Sequence, residues 1–163
     1  MKTSASILFL AFSLLFIAGN ARADSRDWSL QEVKGGTFTL SENLGESPVL
    51  LVFWATWCEP CKKEIAEQRP LFDSFTAKGV KVVLVSVDTQ KTQAKVKPYV
   101  DSKQFPWPVA LDPSSEVLKR YGGTSVPYTV LLDKDGDAKL KIKSAIKDSK
   151  SLSAQVDQLL EAN

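Results

Sequence analysis

The chain has 163 residues, 25% of them charged, with 21 basic and 19 acidic side chains, no histidine and two cysteines. That balance supplies no basic stripe for nucleic acid and no polybasic tract for a membrane surface. The missing histidines exclude Ser-His and Cys-His nucleophiles, and two cysteines fill only half of a tetrahedral zinc site.

The first 23 residues read as an export signal. Lys2 gives a positive start, Ile7 to Ala18 is an apolar run, and Ala21-Arg22-Ala23 is a cleavage site of the A-x-A kind. The run is shorter than the ~20 residues that cross a bilayer; an uncleaved anchor is the competing reading. No cysteine near the cut supports a lipid-modified terminus. Residues 24–163 are then expected as one domain. Losing Lys2 and Arg22 takes the formal net charge from +2 to zero.

Trp28 to Val33 and Thr37 to Leu40, around Gly35-Gly36, predict a hairpin in front of the main domain. After a loop over 41–47, Val49 to Ala55 is an unbroken apolar run, as in a central strand buried on both faces. From Cys61 to Ala77 the period turns helical, with Ile65, Leu71, Phe72 and Phe75 on one face and a break expected at Pro70. Val80 to Val87 is a second buried strand, closed by Asp88. Thr92 to Lys103 predicts a helix limited by Pro98, and Phe105-Pro106-Trp107-Pro108 a rigid turn. Val109 to Leu111 is a short strand. Ser114 to Tyr121 predicts a helix with Ser114 as cap and Gly122 as stop. Tyr128 to Leu132 and Ala138 to Ile142 form a hairpin across Asp133-Lys134-Asp135-Gly136. Ser149 to Glu161 is a final amphipathic helix. Strands alternating with helices, closed by a hairpin, give an α/β layered domain with a mixed sheet.

Both cysteines sit in one string, Trp57-Cys58-Glu59-Pro60-Cys61, between a strand and a helix. An exported domain with its own core needs no staple, and a bridge across four residues constrains the unfolded chain little. The pair suits redox work better than structure. A helix N-terminus stabilises the reactive thiolate. Cys58, expected exposed at the helix start, is the candidate nucleophile. Cys61, shielded one turn on, is the candidate resolving thiol. Pro60 fits the first helical turn. Glu59 destabilises the Cys58 thiolate, while Lys62 and Lys63 act the other way; Glu59 reads either as a general base or as a solvated helix-start acid. Glu64, three residues after Cys61, reads either as a proton acceptor for that thiol or as a surface carboxylate. Trp54 and Trp57 are expected to pack around the dithiol. Cu(I) on the two thiolates is the remaining metal reading.

The segment Val52-Phe53-Trp54-Ala55-Thr56-Trp57-Cys58-Glu59-Pro60-Cys61-Lys62 resembles the thioredoxin superfamily. With the leading hairpin, the Glu-Pro pair, and Val126-Pro127-Tyr128-Thr129-Val130-Leu131-Leu132-Asp133-Lys134-Asp135-Gly136, the chain is similar to exported thiol-disulfide oxidoreductases of the TlpA/ResA type. The resemblance runs from Asp27 to Leu160. It implies a thioredoxin-like fold, with Thr89 to Leu111 as a central α/β insertion. It makes Pro127 a cis-proline beside the dithiol and the Val126 backbone a partner for an incoming client strand. Trp57, Glu59 and Pro60 would line the same client surface, and Glu64 falls where the group carries an acid. Three positions depart from the superfamily pattern: Val52 replaces a buried aspartate, Ala66 a helix-kinking proline, and Ser125 a glycine.

The resemblance implies no cofactor. It implies clients with disulfides, apocytochrome c among them, a membrane dithiol electron donor of the CcdA/DsbD type, and a monomer working in the periplasm or on the outer face of the cytoplasmic membrane. The alternatives are a disulfide oxidase or isomerase, and a Cu(I) chaperone or redox-inert binding module. Because Glu59 disfavours the Cys58 thiolate, the disulfide is expected to be hard to reduce. Equilibration against glutathione or dithiothreitol should give a potential below about −200 mV, whereas a value near about −120 mV would mark an oxidant.

Overall fold

The computed structural model describes residues 27–162. The export segment expected over residues 1–23 lies outside them. The chain opens with a two-stranded antiparallel sheet, β1 (Ser29–Gln31) and β2 (Thr37–Thr39). Gly35 and Gly36, at φ of 94° and 93°, make the turn in a region open to glycine. This hairpin is more than an addition in front of the domain. It buries Trp28, Phe38 and Leu40 in the common core. The Trp28 indole N–H donates to the Tyr121 hydroxyl at 3.0 Å.

The main sheet has five strands. In chain order they are β3 (Val49–Trp54), β4 (Lys81–Ser86), β5 (Val109–Leu111), β6 (Tyr128–Leu132) and β7 (Ala138–Ile142). They lie side by side as β5-β4-β3-β6-β7. All six residues of β3 are buried, as expected of a strand with no polar face. β3, β4 and β5 run parallel, while β6 and β7 are antiparallel to their neighbours, so the sheet is mixed. The outer edge of β5 is covered by the chain leaving β1: Glu32 bridges Ala110, and the Val33 N–H donates to the Val109 carbonyl at 2.9 Å. This closes an edge that would otherwise offer unpaired backbone.

Among the described residues, five α-helices flank the sheet. The helical stretch expected from Cys61 to Ala77 is two helices, α1 (Glu59–Glu67) and α2 (Arg69–Ala77). The break falls at Gln68. Pro70 lies in the first turn of α2, where its missing N–H costs little. α3 (Val96–Lys103) follows a 3-10 turn over Gln93–Lys95 and ends at Gln104 in the left-handed region, φ 50°. With β5 it makes up the Thr89 to Leu111 insertion, which thus contributes both a helix and the edge strand.

α4 (Glu116–Arg120) and α5 (Ser149–Glu161) complete the set. The cap expected from Ser114 comes instead from Asp112. Its carboxylate accepts from the Glu116 N–H at 2.9 Å and the Leu118 N–H at 3.0 Å. A buried carboxylate reaches two free N–H groups at once, which a serine hydroxyl one residue from the helix does not. At α5, Asp148 accepts from the Ser151 N–H at 2.9 Å, while Leu152 and Val156 face the core. Asp112→Ala should lower stability by about 1–3 kcal/mol, because two N–H groups near the core lose their acceptor. Urea unfolding checks this: the midpoint should fall with the slope unchanged.

Candidate active site

β3 delivers the chain to the carboxyl end of the sheet. After Trp54 it turns through Ala55, Thr56 and Trp57 into Cys58, the N-cap of α1. The turn is held by Asp88, just past β4. Its Oδ2 accepts from the Thr56 N–H at 2.7 Å and from the Ser86 hydroxyl at 2.9 Å; its Oδ1 accepts from the Thr56 hydroxyl at 2.6 Å. The Val87 N–H also donates to the Trp54 carbonyl at 2.9 Å. Asp88 therefore acts as a positioning residue by holding Thr56, two positions before the first cysteine. The sequence shows only an acid that closes an apolar strand; it does not show what the acid holds.

Cys58 and Cys61 are joined, with an S–S distance of 2.05 Å and Cα atoms 5.3 Å apart. The Cys61 N–H donates to the Cys58 sulfur at 3.3 Å, so this sulfur takes the place of a capping oxygen. A thiolate there would face the free N–H groups and positive end of α1. The expected exposure of Cys58 is not found in the disulfide form: Cys58 is 5% exposed and Cys61 1%. The order of accessibility is as expected, because Cys61 lies a turn inside the helix. The exposed side chain is Trp57, at 59%. Trp54, by contrast, is buried against Tyr99 and Phe105, with ring centroids at 5.4 and 6.0 Å. Pro60 occupies the first turn of α1, and Glu59 is paired with Lys62, which offsets its charge beside the dithiol.

The β3–β6 register pairs Phe53 with Tyr128. Pro127, next to Tyr128, therefore stands at the same end of the sheet as the Cys58 turn. The Val126–Pro127 bond is cis. The strand order brings together segments far apart in the chain: 54–61, 86–88 and 126–127.

Glu64 is not a surface carboxylate. It is 4% exposed, one turn beyond Cys61 on α1. Its Oε1 accepts from the Ile146 N–H at 2.9 Å, while Oε2 is buried without a hydrogen-bond partner. Burial raises its pKa above the usual glutamate range and outweighs the Ile146 hydrogen bond, which pulls the other way. The Ile146 contact joins residues 82 positions apart, so no local pattern announces it. The unfolded glutamate ionises in the ordinary range; the folded one still holds its proton there. Between the two pKa values the folded state binds more protons, so stability falls as pH rises and then levels off. Glu64→Gln should remove this loss, so that its stability relative to wild type grows with pH across that window. Urea unfolding at a series of pH values measures the difference; a constant offset would contradict it.

The comparisons with known proteins agree with this geometry. The AhpC/TSA family profile matches residues 22–141. Thiol-disulfide oxidoreductase ResA of Bacillus thuringiensis subsp. konkukian (strain 97-27) is 32% identical over 120 residues, covering 74% of this chain and 68% of that protein. The ResA protein of Oceanobacillus iheyensis is 31% identical over 158 residues, covering 89% and 81%. Among solved structures, a candidate thiol:disulfide interchange protein DsbE from Chlorobium tepidum superposes with a TM-score of 0.71 at 27% identity, covering 82% of this chain and 93% of that one. The chain thus belongs to the AhpC/TSA family, and it is a thioredoxin-fold thiol-disulfide oxidoreductase similar to the ResA proteins.

Proposed function

We propose that the chain is an exported reductant of specific protein disulfides, with residues 1–23 as its export signal and residues 24–163 as its working domain. The observation that carries this reading is the capped dithiol: Cys58 at the N-terminus of α1, bonded to a Cys61 that lies deeper in the same helix. In the dithiol form the Cys58 thiolate attacks one sulfur of a client disulfide. A mixed disulfide forms and the client's other sulfur leaves as a thiolate, which takes a proton from solvent. Cys61 then gives its proton to the Glu64 carboxylate and attacks the Cys58 sulfur. The client leaves with both sulfurs reduced, and the Cys58–Cys61 bond closes. A glutamate with a raised pKa is the better acceptor for a thiol proton, because the two affinities lie closer together.

Trp57, Glu59 and Pro60 line the approach to Cys58. The Val126 backbone, at the cis-Pro127 corner, pairs with the client strand by β-addition. The client class favoured is the Cys-x-x-Cys segment of apocytochrome c during cytochrome maturation. Electrons return through a membrane dithiol donor of the CcdA/DsbD type, on the periplasmic or outer side of the cytoplasmic membrane. The working unit is a monomer. The support for clients and location is the similarity to ResA proteins together with the signal-like start of the chain.

Exchange of single cysteines tests the assignment. Cys58→Ser should abolish reduction and form no client adduct. Cys61→Ser should attack without releasing, so that mixed disulfides accumulate through Cys58 and can be identified by mass spectrometry after expression with residues 1–23 intact. Adducts through Cys61 would reverse the roles, and a broad smear of unrelated partners would reject a dedicated client.

A further inference from the structure

An open cleft of about 450 Å³ lies between α1 and α3, and Glu59, the neighbour of Cys58, forms part of its wall. Its floor is aromatic. Tyr99 and Phe105 stand with centroids 6.0 Å apart, and both rest on Trp54, the last residue of β3. Its rim is cationic. Lys62 and Lys63 come from α1, Arg69 from the start of α2 and Lys103 from the end of α3. Against these four cations the lining holds one carboxylate, Glu59, paired with Lys62. Lys62 and Lys103 both lie over the Tyr99 ring, each 5.8 Å from its centroid.

Fold stability accounts for only part of this grouping. Arg69 donates to the Lys103 and Gln104 carbonyls at 3.1 Å, completing the C-terminal end of α3. Lys63 reaches Glu67 only at 3.8 Å, with both side chains exposed, a pair worth little. Lys103 has no carboxylate partner among the described residues. Like charges gathered at one cleft repel one another, and they do so here in a chain whose basic and acidic residues nearly balance. A cleft of one sign with apolar walls concentrates ligands of the other sign.

We infer that this cleft is a subsite for acidic residues flanking the disulfide of the client, so that the enzyme selects clients by negative charge beside the cysteine it attacks. This rests on the proposed reductase reading and adds the chemistry of the substrate to it. Client carboxylates meet Lys63 and Lys103 while their aliphatic stems lie on Tyr99 and Phe105. The client sulfur is then presented one residue away, at Cys58.

The test uses the full chain in its dithiol form and two disulfide-bonded Cys-x-x-Cys peptides that differ only at their flanks, Asp in one and Lys in the other. Each turnover converts the protein dithiol and peptide disulfide into protein disulfide and peptide dithiol, followed by acid quench and thiol analysis. At low ionic strength the Asp-flanked peptide should react at least about tenfold faster, and 1 M salt should remove most of that preference. Lys63→Glu with Lys103→Glu should abolish or invert the preference. Lys141→Glu, on β7 and outside the cleft, should leave it intact. Urea unfolding verifies that the variants fold. Equal rates for the two peptides, or a preference untouched by the double variant, would overturn the subsite while leaving the reductase standing. Reduction of neither peptide would overturn both.

Discussion

β3 has no polar face, and the rest of the molecule is arranged around that constraint. Six consecutive apolar residues, all buried, require a sheet neighbour on each side and cover above and below. β4 satisfies one edge in parallel and β6 the other antiparallel. Because β3 and β4 run the same way, their carboxyl ends emerge together, and Asp88 beyond β4 can reach Thr56 beyond β3. Because β6 runs the other way, its beginning lies at that same end, which is where Pro127 stands. The reactive turn is thus assembled by strand direction, and it is held on a rigid scaffold rather than on a free loop.

The chemistry depends on where this scaffold places water. The Cys58 sulfur replaces a capping oxygen at the start of α1, so the helix that carries the second cysteine also stabilises the first as a thiolate. One turn deeper, Cys61 and Glu64 are both withdrawn from solvent. Burial disfavours charge at thiol and carboxyl alike, and the helix start opposes it only at the first cysteine. A thiolate at the capped position would meet the free N–H groups of α1, while the buried carboxyl loses the hydration that favours its charge. Glu64 is anchored through Ile146 to the chain entering α5, and Ser149 donates to Gln68 at 3.0 Å. The C-terminal segment therefore fixes the buried carboxylate side of the site, although it contributes no atom to the disulfide.

The insertion between β4 and β5 has a comparable double use. It supplies the sheet edge that the N-terminal hairpin covers, and through α3 it supplies Tyr99 and Lys103, which face α1 across the basic cleft. The aromatic contacts from Trp54 to Tyr99 and Phe105 link that cleft to the strand that ends at the dithiol. The cleft and the dithiol thus share one packed layer.

Most of this chain's elements are legible in its sequence, because each answers to local chemistry. The β3 run lacks polar residues, the Gly35-Gly36 and Asp133-Gly136 turns carry their own signals, and α5 shows an apolar stripe at helical spacing. The dithiol is legible for the same reason: two cysteines three apart before a helix imply its cap. What local chemistry left open was decided by residues that meet only after folding. Gln68 rather than Pro70 marks the helix break, since proline is tolerated in a first turn. Asp112 displaces Ser114 as a cap because its carboxylate folds back under α4. Trp57 lies outside and Glu64, open between two readings in the sequence, lies inside, because exposure depends on the segments laid over each residue. For Glu64 that includes Ile146, 82 positions away, and for the basic cleft it is the approach of α3 to α1. The sequence by itself determined which residues could do the chemistry, since helix starts, strand runs and thiol spacing are short-range properties. Only the tertiary structure decided which carboxylate is desolvated and which cations converge, because burial and electrostatic fields are sums over neighbours that the chain order does not contain.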